Sequence, residues 1–256
     1  MGREAGVALA LSSGGTRGFV HIGVLKAMDR HHVPISGIAG SSMGALIGAL
    51  YCSGYSGLDL EEMAKSSRRK HYMDVSVSKM GLLAGTKLHG LLLKWTHGKN
   101  LEDLAIPLKV VAVDIERAEQ VTISEGGIAD AVRASASIPG MFSPVRRGGR
   151  LLVDGGVLNR VPVDLAREFH AKGVVAVDTG VDLATRMTSM FDVLFQTFDI
   201  MARELRRYER VRADVLIQPN LDLTRDADRT RRFIAAGEEA CEAVIPKILS
   251  MVRGTP

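Results

Sequence analysis

Short, strongly apolar runs alternate along this chain with stretches long enough to form a helix, and that alternation restricts its fold more than any single residue. "GVALAL" (6–11), "ISGIAG" (35–40), "PLKVVAVDI" (107–115) and "VVAVDTG" (174–180) have the pattern of buried strands, apolar on both of their alternating faces. "QVTIS" (120–124) and "RLLVDGG" (150–156) read as a further strand and a strand with its turn. Helical periodicity covers 19–31, 58–69, 86–96, 127–138 and 163–173, the last stopped by Gly173. It returns over 188–212, which leads into "ADVLIQP" (213–219), and over 226–252 as one long helix with Pro246 as a kink. Strands joined by crossover-length helices predict a mostly parallel sheet covered on both faces, a three-layer α/β/α sandwich. No Pro/Ser-rich linker or internal repeat divides the chain, so residues 1–256 are expected to form one domain.

Composition narrows the class. With 46% hydrophobic and 24% charged residues, the chain can bury a substantial core and does not have the make-up of a disordered protein. A net charge of +4 fits an anionic substrate or membrane surface without demanding one. No DNA-reading motif or aromatic-interleaved basic stripe accompanies it, so nucleic acid is not an expected partner. The late basic stretches, "ARELRRYERVR" (202–212) and "TRDADRTRR" (224–232), are interleaved with acids and read as solvated helix faces. Cys52 and Cys241 are far apart and have no metal-type spacing, which points to a reducing compartment. No apolar run approaches the roughly 18 residues of a transmembrane helix. A cytoplasmic protein is expected, with peripheral contact to a membrane left open.

The second strand ends in a chemically suggestive turn. In "ISGIAGSSMGALIGALYCSG" (35–54), Gly40-Ser41-Ser42-Met43-Gly44 lies between a strand and a small-residue helix. That is the context in which G-x-S-x-G forms a nucleophile elbow, with Ser42 presented and Gly40 and Gly44 making room for the turn. A serine hydroxyl needs a base to become a nucleophile. Of the histidines at 21, 31, 32, 71, 89, 97 and 170, only His170 lies in the second half, and it is placed near a helix end. His21 falls inside the first helix and reads as structural. No Ser–acid–His order assembles. Asp154, at the end of an apolar strand and followed by Gly155 and Gly156, is the candidate base, since ligands of open α/β sheets gather beyond the carboxyl ends of the strands.

The first strand runs into another glycine loop, "SSGGTRGFVHIGVL" (12–25). It matches neither a dinucleotide fingerprint, because Ser13 replaces the first glycine, nor a Walker loop, because no Gly-Lys-Ser/Thr follows. Backbone donors at Gly14, Gly15 and Thr16 suit a developing oxyanion better, with Arg17 donating nearby or bracing the loop.

"SSGGTRG", "GSSMG", "ASASIPGMFSP" and "DGG", in this order and spacing, resemble the patatin-like phospholipases, particularly their bacterial members. The resemblance runs from about residue 6 to 180. It implies a serine–aspartate dyad acting on lipid acyl esters, with Ser42 as nucleophile, Asp154 as base and the loop at Gly14 and Gly15 as oxyanion hole. Arg17 takes the family's basic position. In "ASASIPGMF" (134–142), Pro139 and Gly140 shape a turn, while Ser135 or Ser137 lines the site or caps the helix. At Ser13 the chain departs from the family's further glycine, which matters if that position needs positive φ. No metal or cofactor is expected. Apolar residues at helical spacing in 80–95 and 188–202 read first as core, and alternatively as a lid or membrane-contacting face. An acyl-carrier transacylase and a non-enzymatic lipid-binding module are the competing functions. Oligomeric state is not legible.

Overall fold

The computed structural model describes residues 6–66, 74, 80–180, 190–208, 213–221 and 228–253. β1 (Val7–Leu11) leads through a 3-10 turn (Gly15–Phe19) to α1 (Val20–Arg30). β2 (Ile35–Ser41), α2 (Met43–Cys52) and α3 (Gly57–Ser66) follow. Next come β3 (Gly81–Leu83), α4 (Thr86–Trp95), β4 (Leu108–Asp114), β5 (Glu119–Ile123) and α5 (Ile128–Ser135). Three short strands then run close together: β6 (Gly140–Phe142), β7 (Val145–Arg147) and β8 (Arg150–Asp154). α6 (Val163–Arg167), β9 (Val174–Val177), α7 (Met190–Tyr208), β10 (Val215–Ile217), α8 (Arg229–Glu242) and α9 (Ile245–Arg253) complete the order.

The main sheet has the order β10-β9-β1-β2-β4-β8-β7, with β5 also paired to β4. The strands from β10 to β4 are mutually parallel, whereas β5, β8 and β7 join antiparallel. β3 and β6 pair separately as a small parallel sheet. Alternation along β1 separates the two faces. Val7, Leu9 and Leu11 enter the larger core with α1, α2, α5 and α8. Ala8 and Ala10 enter a thinner core with Val163, Leu165 and Ala166 of α6. Small side chains on that second face let a one-turn helix lie close to the sheet.

Two expected helices are shorter or divided, whereas the helix expected over 86–96 forms as α4. The run 80–95 splits into β3 and α4 at Gly85, whose φ of 76° breaks the helical path. Within it Leu83, Leu88 and Leu92 are buried, but Met80, Leu82 and Leu93 are exposed. The helix expected over 163–173 stops at Arg167, not at Gly173. His170 therefore sits beyond it, exposed and left-handed (φ 49°). The helix expected over 226–252 is two helices, and Pro246 is the second residue of α9, where its missing N–H costs no hydrogen bond. α3 is described to Ser66, so the expected stretch 67–69 lies outside the described residues, as do 188–189 and 209–212 of the helix expected over 188–212. α7 itself turns Met190, Val193, Ile200 and Met201 to solvent, so the first reading of that stretch as core does not hold for these four. Among the described residues no helix is long and apolar enough to cross a membrane.

Candidate active site

The elbow forms as its spacing implies. Ser42 sits between β2 and α2 with φ 52° and ψ −116°, a strained conformation for a residue with a side chain. Close packing holds it there. A Cβ on Gly44 would fall 2.2 Å from the Leu11 carbonyl oxygen, and one on Gly40 would fall 2.6 Å from the Ala45 Cα. Both glycines are required by space. The Ser42 N–H donates to the Ser135 hydroxyl at 2.8 Å, fixing the elbow to the end of α5.

Ser42 Oγ donates to Asp154 Oδ2 at 2.5 Å, and both residues are buried. Asp154 arrives by a route the parallel-sheet rule does not describe. β4 continues past the end of β2, because Ser41 pairs with Val111 and β4 runs on to Asp114. β8 returns antiparallel along that extension and ends with Asp154 opposite Ala112, level with the elbow. Gly155 must then pass so close that a Cβ would meet the Val111 carbonyl oxygen at 2.4 Å and Ser41 Oγ at 2.8 Å. The N–H of Gly156 donates to Asp154 Oδ1 at 2.8 Å, and that of Asp154 donates to the Ser137 carbonyl at 3.0 Å. Burial pushes the Asp154 carboxyl up to about 6, against the Ser42 hydroxyl, the Gly156 N–H and the Arg160 charge, which pull it down.

The glycine loop lies between this pair and β9. Ser13 does not have positive φ, so a serine is accommodated there without strain; Gly15 is left-handed at 53°. A Cβ on Gly14 would fall 2.2 Å from Thr179 Oγ1. The loop is fastened on several sides. Ser13 N–H donates to the Arg160 carbonyl, Thr179 Oγ1 donates to the Ser13 carbonyl, and the Thr179 N–H donates to Ser12 Oγ. Among the described residues, no acceptor takes the N–H groups of Gly14, Gly15 or Thr16. Arg17 braces the loop through Nε to the Gly14 carbonyl at 3.4 Å, and its Nη2 pairs with both carboxylate oxygens of Asp199 at 2.9 Å.

Histidine has a supporting place here. His21 is fully buried, and its Nε2 lies 2.8 Å from the Ser12 carbonyl, to which it donates as the neutral ring. Burial drives its pKa down to about 4. Among the described residues no histidine hydrogen-bonds to Ser42. The two serine roles left open in 134–142 separate: Ser135 contacts the elbow, whereas Ser137 accepts from Arg133 Nη1 at 2.7 Å and donates to the Arg133 carbonyl. Arg133 itself is buried against the carbonyls of Ala84, Gly85 and Ser143. Among the described residues no cluster of His, Cys, Asp and Glu has the form of a metal site.

Three residues at the site had no assigned role in the sequence. Thr179 lies in "VVAVDTG" and Arg160 four residues after Gly156 of the Asp-Gly-Gly turn, where a polar residue beyond a strand end was the only signal. Asp199 had none, being one acid in an amphipathic helix.

A model of the family described as Patatin-like phospholipase matches residues 9–167. An uncharacterized NTE-family protein of Mycobacterium tuberculosis is 38% identical over 175 residues, 67% of this chain and 48% of that protein. Patatin-like phospholipase domain-containing protein 6 of Homo sapiens is 33% identical over 196 residues, 73% of this chain and 14% of that protein. The chain thus spans about half the length of the first relative and a small part of the second. Among solved structures, VipD from Legionella pneumophila shares the fold with a TM-score of 0.63 at 14% identity, over 94% of this chain and 67% of that one. The type III effector protein ExoU gives 0.54 at 12% identity, over 96% and 54%.

Proposed function

The chain belongs to the patatin-like phospholipase family, and we propose that it is a serine esterase hydrolysing acyl esters of phospholipids or lysophospholipids through Ser42 and Asp154. The observation that carries this reading is the buried 2.5 Å contact between Ser42 Oγ and Asp154 Oδ2 at a strained elbow. Strain and a desolvated carboxylate cost stability, and their coincidence at one hydroxyl is the mark of a nucleophile–base pair. A carboxyl raised to about 6 is ionised at neutral pH, yet basic enough to take the serine proton in the transition state.

The reaction runs in two steps. Ser42 Oγ attacks the ester carbonyl as its proton passes to Asp154 Oδ2, and the N–H groups of Gly14, Gly15 and Thr16 receive the oxyanion. The leaving alkoxide takes the proton from Asp154, leaving an acyl-serine. Water then gives a proton to the same carboxylate, attacks the acyl carbon and releases the fatty acid, and the proton returns to Ser42. The family description and the human relative's name both speak of a phospholipase, so phospholipid esters are the first substrates to try. One sheet drawing strands from Val7 to Ile217 supports reading residues 1–256 as a single catalytic domain. Transient contact with a membrane surface would bring such a site to its substrate.

The test is labelling by a fluorophosphonate, with the adduct located by mass spectrometry. Modification of the wild type at Ser42, lost or greatly slowed in Asp154→Asn, is the expected result. No modification of the wild type would sink the esterase reading in favour of a lipid-binding module.

A further inference from the structure

We propose that Asp199, on α7 and beyond the residues the family model matches, is a positioning residue of this site: its one carboxylate clamps Arg17 and Arg160, and through them sets the oxyanion loop against the Ser42–Asp154 pair. The inference rests on the esterase reading above.

The geometry is a closed bracket. Arg17 Nη2 lies 2.9 Å from both oxygens of Asp199, and Arg160 Nη1 lies 3.2 Å from Oδ1. The three side chains are only 13, 15 and 10% exposed, in the order Arg17, Asp199, Arg160, so the ion pairs are weakly screened. Each arginine holds the glycine loop by a second bond. Arg17 Nε donates to the Gly14 carbonyl, and the Arg160 carbonyl accepts the Ser13 N–H at 2.9 Å. Arg160 also donates to the Gly180 carbonyl at 2.6 Å, tying in the loop after β9. Six residues before it, Asp154 ends β8. The bracket thus joins the loop that would bind the oxyanion to the loop that carries the base, and α7 also packs on the turn Gly155–Val157.

α7 depends on this attachment. Among its described side chains, Met190, Val193, Ile200 and Met201 face solvent, while Ala202 is buried and Leu194 lies over Gly140. With four of its described apolar side chains in solvent, α7 is held to the site in part by these ion pairs. Oxyanion donors misplaced by a fraction of an ångström lose much of their effect on the transition state while hardly changing substrate affinity. The clamp also has an electrostatic consequence. Arg160 favours the ionised form of Asp154, and Asp199 offsets part of that charge. On the elements packed around the site, Arg17 of the glycine loop is paired with Asp199, and Arg133 bonds to Ser137, whose carbonyl accepts the Asp154 N–H. Asp114, two residues along β4, is paired with Arg117 and Arg150, and His21 beneath the loop is neutral.

Asp199→Asn and Asp199→Glu are to be compared with the wild type for hydrolysis of a short-chain p-nitrophenyl ester between pH 4.5 and 9. Amide hydrogen exchange of residues 12–17 supplies a readout that needs no activity. The Asn variant is expected to lose about 10- to 100-fold in kcat, with KM changed less than about threefold. Its acid limb should move to lower pH, because Arg160 is no longer offset, and residues 12–17 should exchange faster. The Glu variant, which keeps the charge, should recover part of each. Wild-type kcat, an unmoved acid limb or unchanged exchange in Asp199→Asn would overturn the proposal. A wild type that does not turn over or take a fluorophosphonate defeats the esterase reading itself. Exchange in the variants then still decides whether Asp199 holds the loop.

Discussion

Two groups of charged side chains in this molecule meet burial in opposite ways. Between α1, α3 and α8, Lys26 lies 2.6 Å from Glu61 and 2.7 Å from Glu238, and Arg30 and His31 pair with Glu238 and Glu242. Burial would lower the Lys26 pKa, but the two glutamates outweigh it and raise it; Lys26 and Arg30 in turn hold Glu238 below its ordinary value despite burial. Each charge there finds its opposite at the rim of the helical layer. At the elbow, Asp154 is buried with a hydroxyl and an N–H as its hydrogen-bond donors, and desolvation wins. Pairing stabilises the seam, whereas the site keeps a carboxylate whose ionised form burial disfavours relative to water. A carboxyl more basic than usual is what the second arrangement yields, at a cost in folding free energy.

The sharpest way to break this contrast is to neutralise the two site groups. Ser42→Ala or Asp154→Asn should each lower ester turnover by at least about 10³-fold, read as kcat/KM on a micellar phospholipid. Activity in the wild type should follow the ionisation of Asp154. Since the base must be unprotonated, kcat/KM should fall about tenfold per pH unit below about 6, with His21 taking no part in that limb because its own pKa is near 4.

Stability should respond in the opposite sense. A carboxyl raised in the folded state stabilises the fold below its unfolded pKa of 3.8, and that contribution is lost as pH rises through about 6. Replacing it with a neutral amide should therefore raise the unfolding free energy at pH 8 by about 3 kcal/mol, with no gain below about pH 4, measured by urea denaturation. Arg133 tests the same region from its scaffold. Arg133→Ala leaves the carbonyls of Ala84, Gly85 and Ser143 without this donor, and should cost about 3 kcal/mol with a matching drop in Tm. The seam should give the smallest effect. Lys26→Met should cost about 1 kcal/mol at pH 7, and the difference should shrink in acid, where Glu61 and Glu238, both held below their ordinary values, become protonated.

Ser42 and its flanking glycines were legible because an elbow is a local object: a tight turn between strand and helix needs small residues at fixed spacing, and that spacing is written in consecutive letters. The strands β1, β2, β4 and β9 were legible for the same kind of reason, since a strand covered on both faces must be apolar throughout. Asp154 was legible through the Asp-Gly-Gly turn, although its approach from an antiparallel strand was not. That direction depends on β4 outrunning β2 by three residues, which no local pattern records. The helix over 86–96 was legible from its spacing, but the short strand β3 before it was not, because the two are separated by the left-handed backbone of the single residue Gly85. Local chemistry thus determined which residues are candidates for nucleophile, base and N–H donors. Tertiary structure alone decided how they are held, because Arg17, Arg160 and Asp199 meet across up to 182 residues of sequence, and a charge finds such a partner only once the chain has folded.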